Sequence, residues 1–285
     1  MESLSFDFSK VFLAAVLLVA LEAAPMAFAQ VAEAIKEPAP TKLTVAAAAN
    51  LVHVLDALNA VFRKAEPHTS LTVATGASGS LVAQIRSGAP YDVFLSADLD
   101  YPRALVASGH AVPDSFVEFA TGQLVLWTTS VDLDVTSIET ALRSDRVRKL
   151  AIANPDTAPY GRAAKEVLQR FHLWESVQSR LVFGENITQT AQFVDTGNAD
   201  AGFVALSLVL APALKQRGRW TLVPETWHTP LAHAAVITAR GAKNPAARRY
   251  LQFLRTVEAQ RIFAEFGYSS PAETTSAESG TPSAR

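Results

Sequence analysis

From residue 42 onward, short apolar runs of β-type composition alternate with runs of helical period. Residues 43–47, 71–75 and 93–96 read as strands, and each is followed by an amphipathic stretch at 51–64, 81–87 and 99–107. This alternation predicts βαβ units and a largely parallel sheet. A second series follows, with strands at 124–128, 150–153, 181–183 and 201–204 and helices at 161–172 and 187–196 between the later three. A last strand at 234–238 precedes one long helix, opened by Asn244-Pro245 and running to Phe266 with Gly267 just past its end, the usual placement of Pro inside the start and Gly beyond the stop. The order fits an α/β protein of two lobes, each a mainly parallel sheet flanked by helices, with a cleft between them. Gly122 and Thr229-Pro230 are the natural exchange points. Lobe I is then 42–122 plus 231–268, and lobe II is 123–230.

In open α/β sheets ligands bind beyond the carboxyl ends of the strands, so the strand-to-helix turns are the places to inspect. The first carries four small residues, Ala46 to Ala49, before Asn50, which stands where an N-cap of the next helix is expected. Small residues let a ligand approach the backbone. The second reads Gly76-Ala77-Ser78-Gly79-Ser80, with glycines that permit a concave array of amides and with Ser78 and Ser80 as hydroxyl donors. It has no lysine and no G-x-S-x-G order, which excludes a Walker-type phosphate loop and a nucleophile elbow. At Asn154-Pro155-Asp156-Thr157-Ala158-Pro159-Tyr160-Gly161 a strand gives way to a helix start. That helix start leaves its first N–H groups without intrahelical acceptors. The fourth turn places Ile187 in the first turn of a helix, behind Asn186 and Gln189 in a spacing that resembles a capping box.

Helix starts leave N–H groups without acceptors and carry the positive end of the helix dipole, which makes them sites for anions. Here four such turns offer amides, an Asn side chain and a Ser hydroxyl, without a cation. Neutral donors select an oxyanion by cavity size and donor count, whereas a fixed Arg or Lys attracts any anion. The pattern points to a receptor.

Composition narrows the picture. The chain has 285 residues, 49% of them apolar and 18% charged, enough for two cores. Residues 11–21 are too short an apolar run for a comfortable membrane span, and Ala27-Phe28-Ala29 follows as a small-x-small cleavage site, so residues 1–29 are read as a secretory signal; an uncleaved anchor is the alternative. Without them, and so without Lys10, Glu2, Asp7 and Glu22, basic and acidic residues are equal in number. No basic patch stands out, and nucleic acid is not expected as a partner. Zero cysteines exclude disulfides, thiolate metal sites and a cysteine nucleophile. Residues 30–41 read as a linker, and 269–285, rich in Ser, Thr, Ala, Glu, Pro and Gly, as a disordered tail.

Five stretches, 43–51, 76–85, Gly88-Ala89-Pro90-Tyr91-Asp92-Val93-Phe94-Leu95-Ser96-Ala97-Asp98, 154–161 and Ala199-Asp200-Ala201-Gly202-Phe203-Val204-Ala205, resemble in order and spacing the periplasmic molybdate/tungstate-binding proteins that feed ABC transporters, within the type II periplasmic binding fold. The resemblance covers about 42–268. It implies an exported, periplasmic protein that captures molybdate or tungstate between its lobes and delivers it to a membrane permease, with no catalytic residue, no cofactor beyond the ligand and a monomeric state. The alternative within the fold is a receptor for sulfate or another tetrahedral oxyanion. Position by position it implies Ala49, Asn50, Ser78, Tyr160 and Ile187 as ligand-binding residues, with Tyr160 contributing its main-chain N–H while Pro159 fixes the approach and Gly161 leaves room for the ligand. Asn50 stands where many members have Ser, and Ala205 where many have Tyr, so the chain is similar to a subgroup that uses Asn and dispenses with that tyrosine.

Other residues carry less. Asp92 and Asp98 would repel a dianion and are assigned to capping or hinge work. The six histidines show no pair at metal-ligand spacing on one helix, so no metal is expected to be bound directly. Trp127, Trp174, Trp220 and Trp227 read as packing. Glu118 and Glu185 form no paired-carboxylate site, and no Ser–His–Asp pattern supports an enzyme.

Overall fold

The computed structural model describes residues 40–271. The expected signal segment, most of the linker and the tail from 272 onward lie outside the described residues.

In the first half, β1 (Thr41–Ala48), β2 (Thr69–Gly76), β3 (Val93–Ser96) and β4 (Val117–Gly122) alternate with α1 (Val52–Ala65), α2 (Ser78–Arg86) and α3 (Asp100–Ala107). The second half contains β5 (Leu124–Thr128), α4 (Ile138–Arg143), β6 (Leu150–Ala153), α5 (Pro159–Arg170), α6 (Trp174–Val177), β7 (Leu181–Gly184), α7 (Ile187–Asp195), β8 (Ala201–Ala205), α8 (Leu206–Val209) and β9 (Arg219–Leu222). The chain closes with β10 (Leu231–Ile237), α9 (Pro245–Leu254) and α10 (Val257–Glu265).

The strands form two five-stranded sheets, in the orders β2-β1-β3-β10-β4 and β7-β6-β8-β5-β9. β1 pairs in parallel with β2 and β3, and β6 with β7 and β8; β10 and β5 run against both of their neighbours. Four strands of each sheet therefore point the same way. The chain passes from the first sheet to the second across Gln123 and comes back between Leu222 and Leu231.

The central strands β3, β5, β6 and β8 are buried along their whole length, which is why they read as unbroken apolar runs. The helices cover the sheets through one apolar stripe each. In α1 it is Val54, Leu55, Leu58 and Phe62, spaced to lie on one face.

Several elements depart from the sequence reading. The helix expected from 245 to 266 is two helices, because Thr256 is extended and its hydroxyl accepts from Ala259 N–H to start α10 afresh. Strands β4 and β9 and helices α4, α6 and α8 lay outside the reading. The body also extends further at both ends: Thr41 belongs to β1, and Ser269, assigned to the tail, exchanges two backbone hydrogen bonds with Thr121, at 2.8 and 2.9 Å.

Candidate functional site

The carboxyl ends of β1, β2, β6 and β7 meet where the two sheets face each other, each strand leading into a helix or helical turn. Ala48, Ala49, Asn50, Gly76, Ala77, Ser78, Ala97, Ala158, Pro159, Tyr160 and Ile187 line one small cavity there. The structure thus brings Ala49, Asn50, Ser78, Tyr160 and Ile187 to one point. No lining residue among those described is charged, and the cavity is small, about 10 Å³.

Main-chain N–H groups supply the chemistry. Those of Ala49, Asn50, Ser78, Tyr160 and Ile187 have no acceptor among the described residues. Each sits in the first turn of a helix: Ala49 and Asn50 in the 3₁₀ turn after β1, Ser78 at the start of α2, Tyr160 behind Pro159 in α5, Ile187 at the start of α7. Ser78 adds a side chain. Its Oγ accepts from Ala97 N–H at 3.2 Å, which leaves the hydroxyl proton free to be donated. Ser80 is not among the lining residues.

Asn50 behaves differently from the expectation. It does not cap α1, since it lies inside the 3₁₀ turn and Leu51 precedes the helix. Its side-chain amide turns away, donating to His233 Nε2 at 2.7 Å and to the Tyr268 hydroxyl at 2.8 Å. His233 Nδ1 lies 2.8 Å from Leu231 O and must carry the proton, so Nε2 is an acceptor. Burial pulls the His233 pKa down to about 4, which keeps the ring neutral. With both of its N–H protons engaged, Asn50 offers the cavity its main-chain N–H, and Oδ1 has no partner among the described residues.

Gly161 also takes a different role. A Cβ there would overlap the Ala153 carbonyl, so the missing side chain admits the end of β6 against α5 and makes no room for a ligand. Tyr160 is buried, and burial raises its phenol pKa well above the usual tyrosine value. The phenol sits against Gly122 and His233, and only the main-chain N–H of Tyr160 belongs to the start of α5. At the fourth turn Asn186 Oδ1 accepts from Thr188 and Gln189 N–H, but the reciprocal bond goes from Glu185 N–H to Gln189 Oε1, one residue earlier than a capping box.

Contacts across the cleft hold the lobes together. Gly79 N–H donates to Thr157 O at 2.9 Å, Tyr101 OH to Asp156 O at 3.4 Å, Thr188 Oγ1 to Ala49 O at 3.0 Å and Ser207 Oγ to Asn50 O at 2.9 Å. Arg162, two residues beyond Tyr160, forms an ion pair with Asp98. Asp98 in turn accepts from Ser96 Oγ and from Tyr101 N–H in the first turn of α3. Asp92 accepts from Thr44 N–H at 2.8 Å, behind the site. Sequence reasoning missed His233, Tyr268, Thr188, Ser207 and Arg162; only their convergence in space reveals them.

The family model of bacterial extracellular solute-binding proteins matches residues 43–269. The molybdate-binding protein of Rhodobacter capsulatus is 40% identical over 227 residues, covering 80% of this chain and 88% of that protein. Its counterpart from Azotobacter vinelandii is 38% identical over 227 residues, covering 80% and 89%. The solved structure of the Azotobacter vinelandii periplasmic molybdate-binding protein superposes with a TM-score of 0.76 at 35% identity, covering 80% of this chain and 99% of that one.

Proposed function

Because this chain belongs to the bacterial extracellular solute-binding family, we propose that it is an ABC-transporter receptor which takes molybdate or tungstate in the cavity between its lobes. One observation carries the ligand class. Among the described residues, five main-chain N–H groups without acceptors and the Ser78 hydroxyl converge on a cavity lined by no charged side chain. Such a cavity binds a dehydrated oxyanion through neutral dipoles aimed from four helix starts. The relatives named for molybdate support the choice among oxyanions.

In this reading the protein is exported by residues 1–29, works as a monomer and hands its ligand to a membrane permease. It makes no use of a catalytic group. A thermal-shift panel of molybdate, tungstate, sulfate and phosphate tests the ligand, with elemental analysis of natively purified protein beside it. Stabilisation by sulfate alone would refute the molybdate reading. Mass spectrometry of the exported protein tests the leader: a mature chain that begins near Gln30 is expected.

A further inference from the structure

The two carbonyls of the β1 turn each accept from a hydroxyl of the opposite lobe, beside a donor from their own. Ala49 O accepts from Thr188 Oγ1 of α7 at 3.0 Å, and Asn50 O accepts from Ser207 Oγ, just past β8, at 2.9 Å. Tyr268 OH lies 3.0 Å from Asn50 O and 3.1 Å from Ser207 Oγ.

The proton directions follow from His233. Its Nδ1–H goes to Leu231 O, so Nε2 must accept one proton of the Asn50 amide, and the second amide proton goes to the Tyr268 oxygen. Tyr268 can then give its own proton to Ser207 Oγ, and Ser207 gives its proton to Asn50 O. The result is a closed ring from Asn50 Nδ2 to Tyr268 to Ser207 and back to the Asn50 carbonyl. Asn50, Tyr268 and Ser207 are all buried, so the ring does not share its bonds with bulk water.

We propose that Thr188 and Ser207 are positioning residues that tie lobe closure to the donor strength and placement of the β1 turn. The inference rests on the oxyanion reading of the cavity. The Ala49 carbonyl and the Asn50 N–H belong to one peptide unit, so the Thr188 hydroxyl polarises the N–H that faces the cavity. Ser207 acts on the next peptide unit, whose N–H belongs to Leu51 and is not one of the cavity's donors; it fixes the placement of the turn and closes the ring. Both hydroxyls come from lobe II and both acceptors from lobe I, so these bonds break when the lobes part. An anion held by the turn is gripped harder once the lobes have shut, and its escape requires both bonds to break.

The chain has no cysteine, so labels can be placed cleanly at Val131→Cys in lobe II and Val257→Cys in lobe I, both highly exposed. The experiment combines the distance distribution between spin labels at these positions, molybdate dissociation by stopped flow, and melting of the ligand-free protein. Thr188→Val and Ser207→Ala should each raise the dissociation rate about tenfold, the equivalent of one ordinary hydrogen bond. They should broaden the molybdate-bound distance distribution toward that of the free protein and leave the ligand-free melting temperature unchanged. Thr188→Ser should restore the parent's rate. Parent-like dissociation in both variants overturns the inference, as does a ligand-free melting temperature that falls in step with the faster dissociation. If the parent responds to none of molybdate, tungstate and sulfate, the oxyanion reading fails and this inference with it.

Discussion

Substituting Gly79 by Ala should change the free and the closed protein in opposite directions. Gly79 lies in the first turn of α2, where replacing Gly by Ala stabilises a helix by up to about 0.8–1 kcal/mol. A Cβ there would come within 3.0 Å of the Thr157 carbonyl oxygen and 2.5 Å of the Tyr101 hydroxyl. Thr157 belongs to the opposite lobe and accepts from Gly79 N–H, so the added methyl wedges into the contact that closes the cleft. The Tyr101 hydroxyl can swing aside, but its ring lies under the Arg162 guanidinium, 5.5 Å from the centroid, and its hydroxyl donates to Asp156 O. Because one of the two clashes is with a flexible side chain, the cost belongs to the lower part of the overpacking range, about 1–2 kcal/mol. The part of that cost set by Thr157 falls on the closed state alone, since Tyr101 shares a lobe with Gly79, and should weaken oxyanion binding by up to roughly 5- to 30-fold. Calorimetric titration with molybdate and melting of the ligand-free protein measure the two effects separately. Parent-like affinity would refute the reasoning, since it would mean that the Gly79–Thr157 contact plays no part in the bound state.

Three further outcomes test the site. Ser78→Ala removes a hydroxyl donor and should cost about 1.5–3 kcal/mol of binding, or roughly 10- to 150-fold in affinity; titration calorimetry showing parent-like binding would take Ser78 out of the site. Tyr160→Phe should bind molybdate within a few-fold of the parent, because the phenol sits against Gly122 and His233 and the main-chain N–H is kept; a large loss in the same titration would mean that the phenol touches the anion. His233 gives a pH effect of defined sign: its pKa falls from the ordinary 6.5 to about 4, so between these values the unfolded chain binds a proton that the folded protein does not. Stability contributed by neutral His233 is therefore fully present above pH 6.5 and is lost, by about 3 kcal/mol, as the pH falls to 4. Urea melts of the parent and His233→Gln across that window should show a shallower loss in the variant, and equal slopes would refute the assignment.

What could be read in the chain follows from where each feature's physics lies. Ala49, Asn50, Ser78, Tyr160 and Ile187 each sit where an apolar strand meets a helix start, a local event that leaves its mark in a few consecutive residues. Strand β9 escaped notice because Arg219–Leu222 is mostly exposed at a sheet edge and has no apolar run. Strand β4 is only half-buried in its first two residues and reads as loop. The break between α9 and α10 falls within a stretch whose apolar period continues, and Thr256 alone marks it. Asn50 was misread for a different reason. A local capping role was the natural expectation, but its side chain is claimed by His233 and Tyr268, which lie 183 and 218 residues away in the chain. Long-range partners of this kind leave no pattern in the local sequence.

The location of Arg162 shows how the site stays neutral. It is placed on α5 two residues past Tyr160, close enough to the cleft that a free guanidinium would draw in any anion by charge alone. Asp98 removes that possibility: it is buried, fixed by Ser96 Oγ and by the Tyr101 N–H in the first turn of α3, and it forms an ion pair with Arg162 across the cleft. The same residue that would repel a dianion in the cavity thus serves outside it by pairing the charge of Arg162. Discrimination is then left to the donors that reach the cavity, which depend on distance and number. A site of that kind can grip a tetrahedral oxyanion of the right size and still release it when the lobes part, because no charge attraction persists after the amides have lost their aim.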